Sequence, residues 1–163
     1  MPLFTAQAAL RDFLKTPVIL NAVLSGVDQQ RAQTATDGAD GWSVLEVVCH
    51  LNDYEQIFLD RAKQIINEDR PDFPPYSQNE LAAANRYSEQ ALTEVLASYY
   101  SRRRSFIDFL HGLPDEQWAR SGVHASYGEM TLVELVVKTT LHDVNHIEQI
   151  VKALGTSPQL SAL

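Results

Sequence analysis

Apolar residues recur at helical spacing over four long stretches of the chain. In the first, residues 5–26, Ala8, Ala9, Phe13, Leu14, Ile19, Leu20, Val23 and Leu24 mark one helical face. Pro17 interrupts it, so either the helix kinks there or a second helix starts with the proline in its first turn. A short helical turn over 28–32 and a polar, Gly-containing linker over 34–41 follow. Ser43-Val-Leu-Glu46 fits a capping box, in which serine and glutamate satisfy each other's free amides. It opens a second long helix whose stripe is Val44, Val47, Val48, Leu51, Phe58, Ala62 and Ile65 and which runs to about Asn67. Residues 68–87 form a long connection, because Arg70-Pro-Asp-Phe-Pro-Pro-Tyr76 cannot continue a helix. A short helix over 79–85 fits within it. The third long helix starts near Ser88, carries Leu92, Val95, Leu96, Tyr99, Phe106, Ile107 and Leu110, and stops at Gly112 and Pro114. Residues 115–118 read as another short turn, and 122–129 as a loop or small hairpin. Thr131-Leu-Val-Glu134 is a second capping box and opens the last helix. That helix is apolar nearly all round from Leu132 to Leu154, which predicts a central, buried position. Residues 156–163 are expected to be ordered only by docking, if at all.

Four long helices with no convincing strand run predict an all-α four-helix bundle, with a long connection between its second and third helices. The length, 163 residues, fits a single domain spanning 1–163. With 45% apolar and 21% charged residues, the chain can build a core. Thirteen Lys and Arg against twenty-one Asp and Glu give a net charge of −8, the wrong footprint for nucleic-acid binding. The single cysteine, Cys49, excludes an intramolecular disulfide. There is no basic region followed by an apolar run at the start, and no apolar run approaches eighteen residues. A cytoplasmic location without membrane contact is the expectation.

His142 and His146 stand four residues apart in the last helix, one turn apart on one face, a spacing that can hold one metal ion. Alone this is a weak signal, since five histidines make ten pairs. His50 strengthens it. It lies between Val47 and Tyr54 on the second helix and should point into or along the edge of the bundle. Three buried imidazoles are hard to satisfy with protein partners alone, and a metal would satisfy them together. His111 and His124 read as structural or exposed, though His124 could line a site mouth.

Gly41-Trp-Ser-Val-Leu-Glu-Val-Val-Cys-His50-Leu and Gly128-Glu-Met-Thr-Leu-Val-Glu-Leu, continuing to His142-Asp-Val-Asn-His146-Ile, resemble the two signatures of the DinB-like (DinB/YfiT-like) superfamily. The resemblance covers about residues 5–154. It implies a four-helix bundle whose metal triad maps onto His50, His142 and His146, with none of the three substituted. It also implies a divalent ion, zinc or nickel, at an open site, and a homodimer. Members with known activity are mostly bacillithiol S-transferases and mycothiol-dependent isomerases, so a low-molecular-weight thiol is an implied second cofactor.

Three protein ligands leave a metal position for water or a thiolate. A bound water could be activated for hydrolysis, or a bound thiol ionised for attack on an electrophile. The leading expectation is a metal-dependent enzyme transferring a thiol to a small electrophile. Metal-dependent hydrolysis is the alternative, and a non-enzymatic metal-binding protein is the third. No catalytic side chain is assigned.

Around the histidines, Cys49 is expected to pack as a small apolar group. Asp53 is either a supporting acceptor or extra ligand for His50, or a solvated carboxylate. Asp143 and Asn145 flank the histidine pair, and either is placed to orient an imidazole. Arg103, on the apolar stripe with Tyr99 and Phe106, is the candidate cofactor-binding residue, gripping a carboxylate of a substrate or thiol. The competing reading lays it along the bundle surface or pairs it with Glu46 or Asp53. Trp42, Trp118 and Tyr127 are expected to cap the core.

Overall fold

A computed structural model describes residues 5–155. Pro17 starts a helix rather than kinking one. Helix α1, Ala6–Phe13, is capped by the Thr5 side chain, and α2, Thr16–Val23, begins with the proline in its first turn. Helix α3 covers Gln29–Thr34. Helix α4, Val44–Asn67, starts at the capping box of Ser43 and Glu46. The connection that follows is not bare loop: it holds strand β1, Asp72–Phe73, helix α5, Gln78–Ala84, and a 3-10 turn over Tyr87–Glu89. Helix α6, Leu92–His111, therefore starts four residues later than Ser88. A second 3-10 turn, Asp115–Ala119, leads into strands β2, Ser121–His124, and β3, Gly128–Thr131. Thr131 and Glu134 then form the capping box of α7, Leu132–Ala153.

The bundle is α1 with α2, α4, α6 and α7. Helix α4 packs against α6 and α7, and α7 packs against α1 and α2. The core falls in two clusters, one around Leu45, Leu51 and Tyr99, the other around Phe13, Phe58 and Phe106. Residues 156–163, expected to order by docking, lie outside the described residues.

Two expectations need correction. A purely α-helical fold does not allow for the three-stranded sheet, in which β1 runs parallel to β2 and β2 antiparallel to β3. Strands of two to four residues are too short to show period-two alternation. Gly122 makes the sheet possible, because a Cβ there would stand 2.5 Å from the Phe73 ring. Helix α7 is also not buried all round. Leu135, Val136, Ile147 and Ile150 are inside, but Leu141 is 58% exposed and Val144 46%. Among the described residues no helix is long and apolar enough to cross a membrane.

Candidate metal centre

The box-capped starts of α4 and α7 fix the helical phase that carries the histidines. The ring centroids of His50 and His146 are 4.4 Å apart, those of His142 and His146 4.5 Å, and those of His50 and His142 5.0 Å. One nitrogen from each ring lies within 4.8 Å of the others, the one such cluster among the described residues. The Nε2 atoms of His50 and His142 are 3.0 Å apart. His146 Nδ1 is 2.9 Å from Gln149 Oε1, which selects the tautomer with a proton on Nδ1 and a free lone pair on Nε2. The Nδ1 atoms of His50 and His142 are buried without hydrogen-bond partners. The three rings thus present converging lone-pair donors, a set that fits a divalent ion.

Aromatic rings wall the cluster. Tyr54 stacks on His142 at 5.0 Å and 19°, Phe58 meets the same ring edge-on at 5.3 Å, and Trp42 lies 5.2 Å from His50. Trp42 therefore borders the centre as well as the core. Burial, then the neighbouring His146 and His142, pushes the His50 pKa down to about 2. In the metal-free protein this has a measurable consequence. The unfolded imidazole takes up a proton below its ordinary 6.5 and the folded one does not, so stability is complete above that pH and falls with acidification. The loss is about 1.4 kcal/mol per pH unit, so urea unfolding at pH 5 should return about 2 kcal/mol less stability from His50 alone. The drop should be smaller in His50→Leu, and identical pH dependence in the two proteins would contradict the assignment.

Beneath the centre lies a buried ionic network. Asp143 is 2% exposed, and its Oδ2 accepts from Arg103 Nη2 at 2.6 Å and from the Thr16 hydroxyl at 2.5 Å. Its Oδ1 stands 3.9 Å from His142 Nδ1, too far for a hydrogen bond but well placed to attract that N–H. Burial raises the Asp143 pKa, but Arg103, His142 and Thr16 outweigh it and hold it below the usual carboxylate range. Glu55, also held by Arg103, is pushed up to about 7 by burial. Two carboxylates thus share one guanidinium, and the second negative charge is the costly one.

Arg103, expected at the edge of the site as a cofactor-binding residue, is placed elsewhere. It is 2% exposed and all five of its N–H donors are used: two on Glu55, one on Asp143, one each on the Phe13 carbonyl and Thr16 hydroxyl. It has no donor left for a ligand and pairs with neither Glu46 nor Asp53. Asp53 turns from His50 and accepts from Asn85 at 2.6 Å and the Tyr87 hydroxyl at 2.8 Å. Those groups line a polar recess of about 440 Å³ that the histidines do not enter. Cys49 is buried, and burial pushes its thiol up to about 12, which leaves it inert. Asn145 is exposed and His111 lies at the exposed end of α6.

The histidines open instead onto a cleft of about 280 Å³ between α4, α7 and the two irregular segments around β1 and the β2–β3 turn. His124 and Tyr127 stand at its mouth. Residues passed over in the sequence line its wall: Tyr54, Phe58, Arg61, Phe73 and Tyr76. One signal could have found the first three. They follow His50 by four, eight and eleven positions, the same helical face.

The solved structure of YfiT from Bacillus subtilis, described as a probable metal-dependent hydrolase with an unusual four-helix bundle topology, superposes with a TM-score of 0.78 at 21% identity, covering 95% of this chain and 90% of that one. A mycothiol-dependent maleylpyruvate isomerase gives 0.75 at 12% identity over 90% of this chain and 61% of that one. At these identities the likenesses speak for the fold. A candidate metal-dependent hydrolase of Oceanobacillus iheyensis is 23% identical over 130 residues, 80% of this chain and 73% of its own length. The model of the DinB superfamily matches residues 13–150, which takes in all three histidines, and the chain belongs to that superfamily.

Proposed function

We propose that this protein is a single-domain metal-dependent enzyme acting on a small molecule, with a divalent ion held by His50, His142 and His146. The observation that carries the reading is the convergence of the three imidazoles, one nitrogen each within 4.8 Å of the others, at the edge of an aromatic cleft. Imidazole donors suit zinc or nickel, and three of them leave a position open to the cleft. When bound, such an ion supplies Lewis acidity that ionises a coordinated thiol or water. The chain's own residues prepare the place. Gln149 fixes the His146 tautomer, Tyr54 holds the plane of His142, and Arg103 with Thr16 holds the Asp143 carboxylate beside His142 Nδ1. Arg103 is thus a positioning residue, and Tyr54, Phe58 and Trp42 keep water from the imidazoles.

Transfer of a low-molecular-weight thiol to a small electrophile is the preferred activity. Among the described residues no acidic one lines the cleft, so a hydrolytic route lacks the carboxylate base that helical metalloproteases set beside the ion. Hydrolysis is the second reading, favoured by His124, whose imidazole at the mouth would serve as the base. Metal-replete protein mixed with a thiol and a chlorinated arene should give thiol-dependent product, abolished in His50→Ala. Ester cleavage without thiol dependence would favour hydrolysis, and turnover in neither assay would contradict an enzyme. A homodimer is also proposed, supported by exposed Val18 and Ile19 on α2 and Leu141 and Val144 on α7, with sedimentation as its test.

A further inference from the structure

The cleft beside the histidines has an electrical imbalance. The chain carries a net charge of −8, yet among the described residues no acidic one lines this cleft, while Arg61 and Lys138 both line it. Arg61 is only 5% exposed. Its Nη2 donates to the Pro74 carbonyl at 3.1 Å, and its Nε is buried with no hydrogen-bond partner. Among the described residues no carboxylate pairs with it. What surrounds the guanidinium is aromatic: Phe73 at 5.4 Å, Tyr76 at 5.6 Å and Phe58 at 6.0 Å from its central carbon.

Ring faces attract a cation, but weakly beside the several kcal/mol lost on burying it. Buried charges in folded proteins are ordinarily paired. Arg103 in this same protein obeys that rule with two carboxylates and every donor satisfied. Arg61 does not, and it borders a cleft. If its only task were to clasp the Pro74 carbonyl, one donor would suffice and a neutral side chain would do it at lower cost.

We propose that Arg61 anchors an oxyanion, a carboxylate or phosphate group carried by a small, otherwise apolar ligand that occupies this cleft. The inference rests on the metal-centre reading only for what meets the other end of the ligand. Phe58 connects the two ends: its ring lies 6.0 Å from the Arg61 guanidinium carbon and 5.3 Å from the His142 ring, so guanidinium and imidazole are within about 11 Å of each other. One small molecule reaches both. The planar fork of arginine suits an oxyanion, and Tyr54, Phe58 and Phe73 give its apolar body a surface. Lys138, whose ammonium sits 3.9 Å from the centre of the Tyr127 ring, adds a second positive charge at the mouth.

Benzoate, phenyl phosphate and neutral benzamide, titrated into the purified protein before and after metal removal and followed by NMR shifts, test this. At least one anion should bind about tenfold or more tighter than benzamide, the factor expected for one charge-assisted hydrogen bond. The tighter anion identifies the oxyanion. Arg61→Gln should erase the preference and Arg61→Lys keep part of it. The wild-type comparison needs no variant, so an unfolded Arg61→Gln leaves the test intact. Equal or undetectable binding of the three probes, or an unchanged preference in folded Arg61→Gln, overturns the proposal. Metal content of the same samples separates the two readings. Anion preference in protein that takes up no zinc or nickel when either is supplied would sink the metal centre and leave the anchor, and metal uptake without anion preference would do the reverse.

Discussion

Arg103→Met is expected to destabilise the protein by about 3–5 kcal/mol, the usual cost of removing one member of a buried ion pair. Against a total stability of about 5–15 kcal/mol for a typical domain, that is a large fraction. The substitution strips Glu55 and Asp143 of their shared cation while both stay buried, and removes a guanidinium carbon seated 4.0 Å from the centre of the Phe13 ring. Glu55→Gln should cost much less. Burial pushes the Glu55 pKa up, so its negative charge is the costlier one to keep, and a neutral amide removes that cost while leaving Arg103 paired with Asp143. Denaturant unfolding of both variants, followed by circular dichroism, measures the difference. A loss below about 1 kcal/mol for Arg103→Met would mean the network contributes little, whatever its geometry.

Zinc or nickel is expected to stabilise the wild type by about 2.7 kcal/mol at a free concentration one hundred times its Kd. For a chain of this size that raises Tm by about 5–10 °C. His50→Ala and His142→Ala should lose the shift, because two imidazoles on a flexible remainder hold an ion far less well than three. Gln149→Ala should keep a reduced shift, since it frees the His146 ring without removing a ligand. Differential scanning calorimetry with and without chelator reads all four proteins. A metal-induced shift as large in His50→Ala as in wild type would place the ion elsewhere.

Much of the scaffold was legible because it rests on local rules. The capping boxes at Ser43 and Thr131 mark the first turns of α4 and α7, whereas Pro17 left a kink and a new helix open until the structure showed the start of α2. Of the short sheet, the β2–β3 hairpin was one of two readings of residues 122–129, but β1 was not legible, because a two-residue strand carries no period and its pairing depends on Gly122 meeting Phe73, a contact far apart in sequence. Helix α7 misled because composition counts apolar residues without saying how many neighbours the fold supplies; Leu141 and Val144 face outward.

The histidines divide the same way. The four-residue spacing of His142 and His146 is local, whereas the 3.0 Å approach of His50 to His142 spans 92 positions and exists only in the folded bundle. The arginines are the sharper lesson. A charged residue on an apolar stripe singled out Arg103, but neither the site edge nor the bundle surface expected for it is where it lies: it is buried. Its partners, Glu55 on α4 and Asp143 on α7, lie on other helices and were out of reach of periodicity. Arg61, between Phe58 and Ile65 on the buried face of α4, met the same criterion and was passed over, and it is the arginine without a carboxylate beside the cleft.

X-ray absorption at the zinc edge, on protein loaded with one equivalent of zinc, reads whether His50, His142 and His146 hold the ion together. Three imidazole nitrogens are expected at about 2.0–2.1 Å, with a fourth position taken by a small exchangeable ligand. Adding a low-molecular-weight thiol should replace that ligand with sulfur at about 2.3 Å. A shell of oxygens alone, or a spectrum that His50→Ala leaves unchanged, would contradict it.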